Sequence, residues 1–289
     1  MLALQILIDG FAISALYALG AVGFTLLFGV SGVLNLSHGA IVVVAALIGW
    51  AAASILGTYL GNLVGVLAAL AAAYATYFAV VRPIQRSPAI PREETEIFVL
   101  TGTLLWSIMI QVGAAWWFTD NPVTIRPLIA GVVNIVGVRT PANEVMIAVL
   151  CWVVIGLLWL LVNRTRAGRA LLAAAINPRG LVLLGFELDS IYLLVWTIYG
   201  VLAGIAGVLL ASFLGVGTNN IGQLTASAFS IVVMGGLGSV SGSLVAAFVV
   251  GYLETLTAYL VAPTLRPVPA LLLLVLVVYV RPQGLLGRR

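Results

Sequence analysis

The chain has 289 residues, of which 63% are hydrophobic and only 8% charged, with a mean hydropathy of +1.21. No water-soluble domain needs that much apolar surface, so the composition dictates a polytopic membrane protein. All the basic residues are arginine, and the net charge of +4 reflects loop placement rather than a nucleic-acid-binding face.

The single Cys151, in VLCWVV, allows no intrachain disulfide and reads as a packing residue. No cleavable signal peptide is expected, because the first apolar run lacks a basic leader and is too long. That run is a first span from about Leu4 to Phe28, with Asp9 near its start. A Gly- and Ser-rich break, Gly29 to Ala40 (GVSGVLNLSHGA), holds Asn35 and the only histidine, His38. Further spans are expected over about Ile41–Leu56 and Leu60–Val81. The segment Arg82–Glu96, with three prolines and six charges, reads as a loop. A fourth span covers about Ile97–Phe118 and ends in Trp116 and Trp117, as at a membrane interface. Thr119–Glu144 reads as a partly structured external segment, and a fifth span covers about Val145–Val162.

The longest break follows: Asn163 to Gly185, carrying Arg164, Arg166, Arg169 and Arg179. Ala167 to Ile176 is rich in good helix formers. Asn177 before Pro178 both ends that helix and starts a second, since Asn is a favoured N-cap and Pro a favoured first residue. Gly185 is a C-terminal stop. Two short helices between spans form either a docking surface or a loop whose arginines merely fix orientation.

A sixth span is expected over about Ile191–Leu214. A short apolar piece, about Leu224–Met234, runs into GGLGSVSGS, then come Leu244–Val261, containing Glu254, and Val268–Val280 before the tail RPQGLLGRR. The seventh and ninth runs are short for a crossing of ~20 residues. The expectation is therefore an all-α, polytopic helical bundle of eight or nine spans with broken or re-entrant segments.

With the arginine-rich stretch inside, Arg82, Arg86, Arg92, Arg164, Arg166, Arg169, Arg179, Arg281, Arg288 and Arg289 also fall inside. Arg126, Arg139 and Arg266 fall outside. The positive-inside rule favours this orientation. FGVSGVLNLSHGAIVVVAALIG also echoes MGGLGSVSGSLVAAFVVG, and matched breaks in two halves point to a translocation site, unless small residues simply serve packing.

Glu254 is the one acid deep in an apolar run, which makes it either a functional group or a buried structural carboxyl. His38 has no second His, Cys or nearby acid for a metal site, so no metal is expected. Asn35, Ser37 and His38 offer polar groups to a solute or satisfy the backbone of a broken helix. No phosphate loop, HExxH or GxSxG occurs, so no catalytic residue is expected and transport energy comes from a partner or an ion gradient.

The residues ALYALGAVGFTLLFGVSGVLNLSHG (Ala15–Gly39), TRAGRALLAAAINPRGLVLLGF (Thr165–Phe186), AFSIVVMGGLGSVSGSLVAAFVVGYLETL (Ala228–Leu256) and the ending RPQGLLG together resemble the LivH-type permeases of branched-chain amino-acid ABC importers. The resemblance covers nearly the whole length and implies one permease domain over residues 1–289, in the bacterial inner membrane. It also implies four kinds of partner: a second, LivM-like permease, two cytoplasmic ATPases, a periplasmic solute-binding protein and membrane lipid, with no nucleic acid. No cofactor would sit on this chain, with ATP and Mg on the ATPases.

By the same resemblance Arg166, Gly168, Arg169, Ala170, Asn177 and Gly185 match the ATPase-coupling loop. Asn35, His38 and Gly39, with Gly235, Gly236, Gly238, Ser239 and Glu254, match the translocation segments. Leu172, Ala40, Ser227 and the Leu36–Ser37 pair depart from the family pattern, which leaves the solute open between branched-chain amino acids and urea, amides or other small solutes. The alternative from another class is an ion-coupled secondary transporter with Glu254 and Asp9 as proton sites.

Overall fold

The computed structural model describes residues 2–118, 121–281 and 283–287. In chain order it contains α1 (Leu2–Ser31), α2 (His38–Leu56), α3 (Thr58–Thr76), α4 (Arg82–Arg86), α5 (Thr95–Trp117), β1 (Val132–Ile135), β2 (Val138–Pro141), α6 (Ala142–Arg164), α7 (Arg166–Ile176), α8 (Pro178–Leu183), α9 (Leu188–Phe213), α10 (Ile221–Gly235), α11 (Val240–Leu260) and α12 (Val268–Val280). Among the described residues, 8 helical segments are long and apolar enough to cross a bilayer. One of them joins α3 to α4, and another joins α12 to the turn before it. The helical bundle expected from composition is the fold, as it must be where lipid satisfies no backbone group.

α1 is the most enclosed span and lies antiparallel to α11. Small residues permit the approach. Gly10 lies under the Tyr252 ring, Gly251 against Ser14, and Gly29 against Gly238. The hydroxyls of Thr25 and Ser243 bond at 2.5 Å. The two Gly/Ser breaks that echo each other in sequence thus abut through Gly29 and Gly238. On the other side of α1 stand α9 and α2, with Phe24, Trp196 and Tyr199 fully buried between them.

One expectation needs correction, and two gain detail. The supposed loop Arg82–Glu96 begins as helix, because α3 runs through a π-turn at Tyr77–Val81 into α4. In that turn the Arg82 N–H bonds to the Tyr77 carbonyl, five residues back. The widened turn shifts the ladder just before Pro83, where a regular helix would clash with the ring. The external segment contains a hairpin, β1–β2, whose two-residue loop has Val136 at φ 49 and Gly137 at φ 84. α10 has 15 residues, ~22 Å of helix, short of the ~30 Å hydrocarbon core. It is a shortened helix, about three-quarters of that thickness, that starts inside the bundle, with Ile221 and Thr225 against Gly39.

The described tail caps α10 through residues 284–287. Leu285 and Leu286 donate backbone bonds to Met234 and Gly235 at 2.7 and 3.1 Å, satisfying carbonyls the helix end leaves open. Arg288 and Arg289, counted above as inside, lie outside the described residues.

Candidate coupling and translocation sites

The arginine-rich break folds as two short helices with the caps its sequence specifies. The Thr165 hydroxyl accepts from the Gly168 N–H at 3.0 Å and so starts α7. The Asn177 side chain accepts from the Gly180 N–H at 2.9 Å and starts α8. Gly185 follows at φ 84, a conformation open mainly to glycine. Gly168 sits where α7 turns back on α6, and a Cβ there would lie 2.2 Å from the Leu161 carbonyl oxygen. Ala170 is buried, whereas Arg166, Arg169 and Arg179 are exposed.

Sequence reasoning dwelt on those arginines and missed their apolar companions. Ile176 is 78% exposed, Leu183 89% and Leu184 75%. An uncovered apolar ridge among arginines, on helices outside the spans, is the signature of a protein-binding surface. The available signal was LVLLG: four large apolar residues in a piece that buries only Leu181.

The first break folds around Asn35. Its carboxamide oxygen accepts from the Ser37 N–H at 3.0 Å and the Ser37 hydroxyl at 2.7 Å. Its amide donates to the Tyr199 hydroxyl at 3.0 Å. His38 stacks on Phe24, with ring centroids 5.3 Å apart, and its Nδ1 lies 3.0 Å from the same hydroxyl. The hydroxyl accepts from Asn35 and keeps its own proton for Nδ1, an arrangement that suits an imidazole protonated at Nε2. Thr103 accepts from the Leu36 N–H at 3.1 Å and Thr225 from the Gly39 N–H at 3.0 Å. The side chains of the break and its neighbours thus satisfy a backbone that no helix ladder serves. Tyr199, Thr103 and Thr225 are the residues sequence reasoning missed here, since each comes from a distant helix and carries no local motif.

Glu254 is fully buried and its partners now have names. Tyr17 on α1 donates to Oε2 at 2.6 Å, and Ser227 on α10 donates to Oε1 at 3.4 Å. The carboxylate ties three helices together. Tyr17, Ser227 and His38 share the wall of a small cavity of about 40 Å³, room for about one water. Two of the expected translocation groups, His38 and the Glu254 cluster, are therefore neighbours across one gap, and the gap is closed to anything larger.

Gly235, Gly236, Gly238 and Ser239 form the α10–α11 break. Ser239 accepts from the Gly242 N–H at 3.2 Å and starts α11. Gly235 packs on Gly242, and Gly236 takes φ 102 against the tail at Gly287. This group lies at the end of α10 away from His38, so the break and the histidine are not one site.

Residues 6–280 match the family described as "Branched-chain amino acid transport system / permease component". The chain belongs to that family. It is 31% identical to the high-affinity branched-chain amino acid transport system permease protein BraD of Pseudomonas aeruginosa, over 99% of this chain and 96% of that protein. It is 29% identical to the permease protein LivH of Escherichia coli K12 over the same shares. A more distant likeness, 28% over 44% of this chain, is to the xylose transport system permease protein XylH of Escherichia coli K12. As a permease component it is a transport subunit, and it is a multi-pass protein of the bacterial inner membrane.

Proposed function

We propose that this permease moves branched-chain or related hydrophobic amino acids inward. In this reading it forms one permease domain, has no ATP site of its own, and pairs with a second permease of the LivM type. A periplasmic binding protein delivers the solute, and two cytoplasmic ATPases hydrolyse ATP with Mg. The observation that carries this reading is the uncovered ridge of Ile176, Leu183 and Leu184 between Arg166, Arg169 and Arg179. A partner that covers it gains ~1.5–3 kcal/mol per leucine, and the arginines reach carboxylates at its rim.

The route from that ridge to the buried site is short. α9 starts at Leu188, five residues after α8 ends, and Tyr199 stands eleven residues further on, ~16 Å along the axis. A pull on α7–α8 moves α9, and Tyr199 holds Asn35 and His38. Displacing that hydroxyl frees both groups at once and opens the gap beside Glu254. Only contacts that differ between two states drive such a switch, and in this reading the Tyr199 bonds break in the second state.

Arg169→Glu with Gly168→Leu is the test: ATPase association is lost while membrane insertion persists. Assembly and pumping by that variant would refute the coupling assignment. Uptake of leucine, xylose and urea by membranes loaded with the cognate binding protein selects the solute, with leucine expected.

A further inference from the structure

We infer that the end of the bundle opposite the arginine-rich helices carries the solute's first site on this chain, a pocket that holds an α-amino acid by its carboxylate on Arg266. The inference rests on the amino-acid reading above and names the groups that enforce it. The pocket measures about 250 Å³, just under the ~300–1,000 Å³ of drug-sized ligand sites. α9 fixes its depth. From Leu188, beside the arginine-rich helices, to Leu210 in the pocket wall is 22 residues, ~33 Å of helix and so the full thickness of a bilayer core.

The wall divides by chemistry. Arg266, Asn220 and Gln223 supply its polar side, and Leu210, Leu214 and Leu224 its apolar side. Arg266 is the one charged lining residue. It makes no ion pair among the described residues, where both ion pairs belong to Asp189. Glu254 lies within its field, behind Tyr17, but not in salt-bridge contact. A guanidinium left without a carboxylate, beside an apolar surface, matches the carboxylate of a solute, which its planar fork takes by two parallel bonds. Asn220 accepts from the Gly217 N–H at 2.9 Å, so its side-chain N–H groups remain to donate to the same carboxylate. Gln223 is exposed and has no hydrogen-bond partner among the described residues, which leaves its carboxamide oxygen open to the ammonium. The leucines take the aliphatic side chain. Xylose and urea have neither a carboxylate for Arg266 nor an aliphatic chain for the leucines.

This pocket adjoins the buried polar site. Tyr17, Leu210 and Leu224 line both the pocket and the closed cavity of about 40 Å³ beside His38. Those three side chains are the partition between a space that fits a solute and one that fits a water. Tyr17 is held in the partition by its bond to Glu254. The solute therefore rests against the far face of the partition from His38 and Ser227 until the helices part.

The test places a thiol at the rim by Thr264→Cys, an exposed position, in the assembled transporter in proteoliposomes without binding protein. Cys151 is buried, so an uncharged, water-soluble maleimide reads the rim thiol, with labelling of this chain followed by mass. Leucine is expected to slow the labelling. Leucinamide, with the same side chain and ammonium but no carboxylate, is expected to leave it unchanged. Arg266→Gln raises the leucine concentration for half protection about tenfold, as loss of a charge-assisted pair implies. Leu214→Trp, at a position 42% exposed, fills the pocket and abolishes protection while Arg266 stays in place. Leucinamide protecting as well as leucine, or leucine unable to slow labelling in a complex that transports it, overturns the inference. So does protection unmoved by Arg266→Gln or Leu214→Trp in a folded chain. A parent complex that carries no leucine at all refutes the amino-acid reading and this site with it.

Discussion

The Tyr199 hydroxyl on α9 takes a 3.0 Å hydrogen bond from the Asn35 amide, 164 residues earlier in the chain. The same oxygen holds His38. One phenol therefore fixes the break between α1 and α2 to the helix that leads away from the arginine-rich surface. Tyr199→Phe removes both partners and leaves a buried amide and a buried imidazole nitrogen unpaired, at roughly 1–3 kcal/mol each. We expect a lower melting temperature in detergent, with uptake falling further than the amount of folded protein. Equal losses in both would make Tyr199 a packing residue only.

Glu254 separates the two energy sources by experiment. Glu254→Gln keeps groups able to bond Tyr17 and Ser227, so an ATP-driven permease retains substantial uptake. An ion-coupled carrier that uses this carboxyl as its proton site loses uptake altogether. Glu254→Leu strands the Tyr17 hydroxyl and is expected to cost about 1–3 kcal/mol of stability in either case. The measurement is solute uptake in vesicles, with thermal melting as the control.

The tail has a structural task that deletion exposes. Gly284 faces the Gly236 backbone, and a Cβ on it would lie 2.5 Å from Gly236 N and Cα, with no flexible side chain to yield. Gly284→Ala is expected to detach the tail and free the carbonyls of Met234 and Gly235. Protease then reaches the α10–α11 break faster than in the parent chain. Unchanged cleavage would mean the tail leaves α10 undisturbed.

Much of this was written locally in the sequence. Long apolar runs gave the spans, because a bilayer demands length and continuity. The Asn177–Pro178 pair gave the turn between α7 and α8, since a cap is a contact three residues long. What stayed hidden is non-local or atypical. The helix continues past Pro83 only because a π-turn absorbs the proline, and no composition signals that turn. The hairpin turns at Val136–Gly137, with a β-branched residue at positive φ in place of the usual Asn or Asp, so its signature is absent. Asn35, His38 and Glu254 stood out as polar groups in oil, but their partners Tyr199, Tyr17 and Ser227 look like ordinary span residues until the helices pack. The ridge of Leu183 and Leu184 was overlooked because leucine is unremarkable in so apolar a chain. Only its exposure gives it meaning.

The most direct test of the account is co-purification of the ATPase with a Leu183→Glu, Leu184→Glu double variant. Neither side chain packs within the chain, at 89% and 75% exposed, so insertion and folding should match the parent. The account predicts that the ATPase is lost from the purified complex and ATP-driven uptake with it. A double variant that keeps its ATPase and transports at the parental rate would contradict the claim that this ridge receives the force for transport.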